Sequence, residues 1–262
     1  MTHARAVFRA IALCVVTCAF YSLRVAGAVF VFPFKEASFG LRSFIFRNWA
    51  KATARLLGVK INARGQTPRG AFFLVSNHLS YLDIVVFAAL TDCVFIAKSE
   101  VARWPVIGLL CRSMNTIFID RARRRDTARV NRTVEKILAE GRSVVLFAEG
   151  TSTQGATVLP FKSALLEQAA RASFPVSYAA LSYSVPAGEM PAHLSVCWWG
   201  EMTFFKHLFD LFHLSEIRAS VVFGSETIRE TNRKALAIKL RSAVIEDFIP
   251  VVGLEENRAL TH

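Results

Sequence analysis

His78 and Asp83, in Ser76-Asn77-His78-Leu79-Ser80-Tyr81-Leu82-Asp83, are the residues of this chain best suited to moving a proton. They follow an apolar run ending at Val75 and precede a second one, Ile84 to Leu90, that reads as a helix. A histidine at a strand end and an aspartate at the next helix start can face each other across the turn. The carboxylate would fix the imidazole tautomer and steady the imidazolium, while the free ring nitrogen takes a proton from a hydroxyl. Such a base contributes about 10²–10⁴-fold. A pair at this spacing also arises readily by chance, and in the plainer reading Asp83 only caps the helix.

Two further strand ends carry polar groups. Phe147-Ala148-Glu149-Gly150-Thr151-Ser152 follows a strand; Gly150 permits a sharp turn, so Glu149 and Thr151 would project where open α/β sheets hold ligands. Alone, it reads first as a plain turn with a solvated glutamate. Phe118-Ile119-Asp120-Arg121 ends in an arginine able to grip an anion bidentately, followed by Arg123, Arg124, Arg125, Arg129 and Arg132. That run suits an anionic surface or carrier, or is a solvated basic face.

The elements that must position these groups alternate. Ala71–Val75, Val94–Ala97, Thr116–Ile119 and Val144–Phe147 read as buried strands, with later strands expected at Val176–Tyr183, Leu194–Trp198 and Arg218–Phe223. Helices are expected from an Asp126 N-cap to Gly141, from about Pro160 to Ala172, and from Thr231 to Phe248. This is the pattern of a layered α/β domain around a mostly parallel central sheet, preceded by an N-terminal apolar membrane-binding helical segment. A parallel sheet would bring the three polar strand ends to one edge.

The N-terminus is apolar from Ala10 to Leu23 and again from Val25 to Phe34. The fourteen residues between Arg9 and Arg24 would make a helix of roughly 21 Å, short of the ~30 Å hydrocarbon core. Snorkelling by Arg9 and Arg24 would extend its reach. A single span and a helix pair lying in one leaflet both fit, and a cleaved signal peptide is the rival. The expected organisation is residues 1–42 as anchor or interfacial helix pair and 43–262 as the catalytic domain.

Thirty-two Lys and Arg against twenty Asp and Glu give a net charge of +12, which favours an anionic partner. No nucleic-acid recognition motif accompanies it, so nucleic acid is not an expected partner. Five cysteines without a Cys-x-x-Cys pair suggest neither a disulfide framework nor zinc, and Cys14 and Cys18 are expected to be buried small hydrophobes in a reducing compartment. His193, His207 and His213 lack ligand spacing, so no metal site is expected. Trp198-Trp199 and Phe204–Phe209 either border an acyl groove or touch a bilayer, or form an ordinary core helix with a Trp strand, the last being preferred.

Together these blocks resemble the PlsC-type glycerolipid acyltransferases. Asn-His-x-x-x-x-Asp is present as Asn77-His78 through Asp83, Phe-Ile-x-Arg as Phe118 to Arg121, and Phe-Pro-Glu-Gly-Thr-x-Ser as Phe147 to Thr153. Lys98-Ser99-Glu100 with Trp104-Pro105 and Gly108, Pro160-Phe161-Lys162 and Pro175-Val176 resemble the connecting stretches. The resemblance implies an O-acyltransferase in which His78, oriented by Asp83, deprotonates a lysolipid hydroxyl that attacks the thioester of acyl carrier protein or coenzyme A. Arg121 would hold the acceptor's head group; Glu149, Gly150 and Thr151 would shape its site. No cofactor, metal or covalent acyl-enzyme is implied.

The expected acceptor is 1-acyl-glycerol-3-phosphate, giving phosphatidic acid at the cytoplasmic face of the inner membrane, with the anionic membrane surface as a partner. A lyso-ornithine lipid is the alternative, because the departures Ala148, Asn115 and Tyr178 surround the acceptor site. From other classes come a non-catalytic basic membrane-binding protein and a lipid hydrolase; the latter lacks a Gly-x-Ser-x-Gly elbow.

Overall fold

The computed structural model of the chain describes residues 2–31 and 34–252. Phe32, part of the apolar N-terminal stretch, lies outside them. Two long helices come first, α1 (Thr2–Val31) and α2 (Lys35–Leu57). They run antiparallel: the Trp49 indole donates to the Thr17 hydroxyl at 3.1 Å, and Leu41 packs on Gly27. Gly58, at φ 73°, stops α2 with a left-handed cap, the position glycine adopts at least cost.

The chain continues through β1 (Val59–Arg64), β2 (Phe73–Ser76), α3 (Leu82–Leu90), β3 (Val94–Lys98), a 3₁₀ turn (Ser99–Arg103), α4 (Ile107–Ser113), β4 (Ile117–Ile119), α5 (Arg124–Ala139) and β5 (Val144–Phe147). A second 3₁₀ turn (Ser163–Leu166), α6 (Glu167–Arg171), β6 (Val176–Ser184), α7 (Ala192–Ser195), α8 (Phe204–Phe212), β7 (Ile217–Phe223) and α9 (Arg233–Asp247) complete it. The strands form one seven-stranded sheet in the order β1-β7-β6-β2-β5-β3-β4, and only the β6–β7 pairing is antiparallel. The mostly parallel α/β architecture expected from the alternation is the one observed.

Side chains alternate across the pleat, so each strand feeds two cores. On one face α1, α2, α3 and α8 cover Leu74, Phe95, Val145 and Leu181; on the other α5, α6 and α9 cover Phe73, Val75, Ile96 and Leu146. The helix pair and α5 therefore lie on opposite faces of the sheet.

Several expectations are corrected. Leu194–Trp198 is not a strand: Pro191 opens the short α7, and the Trp198 N–H leaves it to bond the Leu79 carbonyl at 2.8 Å. An unexpected strand, β1, lies at the sheet edge, where Val59, Ile61 and Ala63 alternate with polar residues. Pro160–Ala172 is not one helix, because the Leu159 and Lys162 N–H groups bond back to Glu149 and to the Ala148 carbonyl and hold the segment extended. Asp126 sits inside the first turn of α5 and accepts the Asp120 N–H at 2.6 Å instead of capping the helix. Cys14 and Cys18 are exposed, since they lie on the face of α1 turned away from α2. Arg9 does not reach toward a bilayer: it is 7% exposed and donates to the carbonyls of Phe212, Leu214 and Ser215, fastening the start of α1 to the chain leaving α8.

Candidate active site

The rim at the carboxyl ends of β2, β4 and β5 gathers the polar strand ends. Beyond β2 the Asn77 carboxamide, fully enclosed, donates to the Leu181 carbonyl and accepts the Leu181 N–H, both at 2.8 Å. That double bond to β6 fixes the chain just before His78. The His78 ring stacks on Phe147 with centroids 4.4 Å apart and planes 12° apart, and keeps 22% of its side chain exposed. The ring is thus held flat from below and open to a substrate from the side.

His78 Nδ1 lies 2.7 Å from Asp83 Oδ2. Asp83 is completely buried, and its carboxylate accepts four donors: His78 Nδ1, the N–H groups of Leu79 (2.7 Å) and Ser80 (3.1 Å), and the Tyr183 hydroxyl (2.9 Å). An accepting carboxylate makes Nδ1 the donor and leaves the imidazole lone pair on Nε2. Asp83 therefore closes the turn before α3 and orients the ring at once. Burial, reinforced by the Asp83 charge, pushes the Tyr183 hydroxyl well above its usual range and keeps it a donor.

Glu149 joins the two strand ends: Oε1 accepts the His78 N–H at 2.6 Å and Oε2 the Leu159 N–H at 2.7 Å. It is 2% exposed, and burial pushes its carboxyl up from 4.5 to about 7, against the pull of those two N–H groups. Between about pH 4.5 and about 7 the folded chain holds a proton that the unfolded chain has released, so stability falls as pH rises through this window. The full effect is on the order of 3 kcal/mol. In thermal melts the wild type should therefore lose stability relative to Glu149→Gln between pH 5 and pH 7.5. A difference that does not change with pH would contradict this.

Arg121, leaving β4, reaches past the end of β3 and donates to the Gly150 carbonyl. Gly150 has φ 78°, and a Cβ there would lie 3.1 Å from Arg121 Nη1, so the position needs glycine both for its backbone and for the arginine. Burial lowers the Arg121 guanidinium pKa, with Glu100 opposing. Thr151 is exposed on the outer lip of the turn, its hydroxyl 3.4 Å from the Ser152 carbonyl. The structure thus joins His78, Asp83, Glu149, Gly150 and Arg121 in one connected rim, with Thr151 at its edge.

Tyr183 and the supporting Asn77 carry no signal in spacing, since both find their partners through the pairing of β2 with β6. Beside the rim stands an aromatic wall. The Tyr81 hydroxyl and His207 Nδ1 are hydrogen-bonded at 3.0 Å, and Phe204 packs against Tyr81, Trp104 and Trp198 with centroids 5.0, 5.3 and 6.1 Å away. Trp198 and Phe204 lie beside the His78–Asp83 turn, and α8 buries Leu211 and Phe212 in the core, as the preferred expectation of an ordinary core helix had it. Two of the motif departures are accommodated locally: Asn115 takes φ 59°, and Gly224 leaves room for the Tyr178 ring, which a Cβ would approach to 2.3 Å. Among the described residues no group of three or more His, Cys, Asp or Glu is placed to hold a metal ion.

Comparison with known proteins follows the same line. A family model described as Acyltransferase matches residues 58–182. The chain is 34% identical over 242 residues to a lyso-ornithine lipid O-acyltransferase of Brucella abortus, covering 87% of this chain and 91% of that protein. It is 31% identical over 188 residues to a 1-acyl-sn-glycerol-3-phosphate acyltransferase of Neisseria meningitidis, covering 72% of this chain and 73% of the other. The crystal structure of the acyltransferase PlsC from Thermotoga maritima superposes with a TM-score of 0.63 at 16% identity, covering 94% of this chain and 98% of that one. The chain belongs to the PlsC-type acyltransferase family and is an acyltransferase enzyme.

Proposed function

We propose that the enzyme transfers an acyl group from the thioester of acyl carrier protein or coenzyme A to the hydroxyl of a lysolipid, with His78 as general base. The observation that carries this reading is the 2.7 Å contact from His78 Nδ1 to the enclosed Asp83, which leaves Nε2 to accept a proton in a ring that is 22% exposed. Nε2 takes the hydroxyl proton as the oxygen attacks the thioester carbonyl. The new C–O bond forms, the C–S bond breaks, and the imidazolium returns its proton to the leaving thiolate. Arg121, held on the Gly150 carbonyl, supplies the cation for the acceptor's anionic group, and Glu149 holds the turn that shapes the site.

The acceptor we favour is lyso-ornithine lipid, whose ornithine carboxylate suits a single guanidinium. The Brucella relative spans more of this chain than the Neisseria one, and Ala148, next to Glu149 in the rim, departs from the glycerolipid pattern. Incubation of purified enzyme with both lysolipids, read by mass spectrometry, should give acylated lyso-ornithine lipid. Arg121→Ala should raise the acceptor KM about 10- to 100-fold, the loss of one charge-assisted contact. Phosphatidic acid as the sole product would overturn the acceptor assignment.

The membrane-binding part, residues 1–42, is proposed to lie in the cytoplasmic leaflet of the inner membrane, with 43–262 as the acyltransferase domain; α2 itself runs unbroken through position 42. α1 is long and apolar enough to cross a bilayer. Its exposed residues, however, recur at helical spacing along its whole length: Phe8, Ile11, Val15, Leu23, Val25, Val29 and Phe30. That face carries no charge from Val7 to Phe30, and Arg9 and Arg5 tie the first turns to the domain. A helix with one apolar face outward and its start fastened to the protein favours an interfacial position over a span. Phe8→Asp with Val29→Asp should cut binding to anionic vesicles at least about tenfold in sedimentation; unchanged binding would remove α1 as the anchor.

A further inference from the structure

Arg125, Arg129, Arg132 and Lys136 are exposed along α5 at spacings of four, three and four residues. At 100° per residue they fall within about 60° of one another, a basic stripe about 16 Å long. Val130 and Val134, buried against the sheet, lie on the opposite side of the helix. Two carboxylates at its head are committed to holding the rim: Asp126 accepts the Asp120 N–H and pairs with Arg129 at 2.7 Å, and Asp120 pairs with Arg123 at 3.1 Å. Arg129 also donates to the Phe118 carbonyl at 2.6 Å. Lys136 faces Glu140 at 3.9 Å, and Glu135 stands to one side, about 80° around the helix. Among the described residues Arg125 and Arg132 have no carboxylate within ion-pair distance.

Two placements narrow what this stripe meets. Its head adjoins β4, whose end supplies Arg121 to the rim, so an object docked on α5 is delivered beside the site. It also lies on the sheet face opposite α1 and its apolar surface. A membrane contacted through α1 leaves α5 turned toward water. The partner is therefore soluble, acidic and large enough to cover a stripe that leads away from the rim.

We propose that α5 is the docking surface for an acidic carrier protein that presents the acyl thioester. This rests on the acyl-transfer reading above and deepens it by assigning the donor's surface. Complementary charge acts chiefly on encounter, so its loss appears in KM and in salt dependence.

The test uses full-length Arg125→Glu/Arg132→Glu enzyme and its milder Arg125→Gln/Arg132→Gln counterpart. Each is assayed with acyl carrier protein and coenzyme A thioesters of the same acyl chain. The expected result is a KM for the carrier-protein donor raised at least about tenfold by the Glu pair and less by the Gln pair. Kinetics with the coenzyme A donor should stay within twofold, and binding to anionic vesicles should be unchanged. An equal effect on both donors, no effect on either, weakened vesicle binding, or wild-type transfer from coenzyme A alone would each overturn the docking surface. Wild-type activity with coenzyme A would in every case leave the transfer reading intact.

Discussion

Replacing His78 by alanine is expected to lower kcat for acyl transfer about 10²–10⁴-fold, the usual contribution of a positioned general base. The KM for both substrates should change little, because the imidazole is proposed to act on the proton and not to grip either substrate. Stability should also change modestly. The ring is partly exposed and rests on Phe147, and the neighbouring backbone is held without it by the His78 N–H to Glu149 and by the Thr153 N–H to the His78 carbonyl at 3.1 Å. A folded, inactive His78→Ala protein would thus separate chemistry from architecture. Retention of more than a third of wild-type kcat would exclude His78 as the base.

Asp83 should behave differently, because the same carboxylate serves the turn and the ring. Asp83→Ala removes the acceptor for four donors in a site with no exposure, leaving two backbone N–H groups, a tyrosine hydroxyl and an imidazole without it. Each buried group left unsatisfied costs about 1–3 kcal/mol, and the costs do not simply add. A loss of at least about 3 kcal/mol in denaturant unfolding is expected, together with a drop in kcat as large as that of His78→Ala. Asp83→Asn keeps one acceptor oxygen and should retain more stability, yet its amide cannot hold the imidazolium, so activity should remain low. An Asp83→Asn enzyme with near-normal kcat would reduce Asp83 to a structural cap.

Much of this was legible in the chain. The strands at Val94, Thr116 and Val144 announce themselves as short apolar runs between turn residues, and the alternation with helices implies a sheet with three polar ends on one edge. Spacing alone does not say that His78 and Asp83 meet; the order of the three motif blocks makes that expectation specific. What stayed hidden depends on partners distant in sequence. Tyr183 reaches Asp83 only because β6 pairs with β2, and Asn77 finds Leu181 across the same pairing. Leu194–Trp198 looks like a strand by its apolar content, but its last N–H bonds the Leu79 carbonyl and its helical turn is opened by Pro191. Arg9 reads as a flank of a membrane segment until α8 brings a row of carbonyls to it.

The dyad itself is tested most directly by a double-variant cycle. If Asp83 acts on catalysis only through the His78 ring, removing the ring already forfeits what the carboxylate contributes. Single-turnover rates of the His78→Ala, Asp83→Asn and double variants, measured on protein shown to be folded, should then place the double variant within about threefold of His78→Ala. Independent losses, with the double variant slower by the product of the two single effects, would contradict the account.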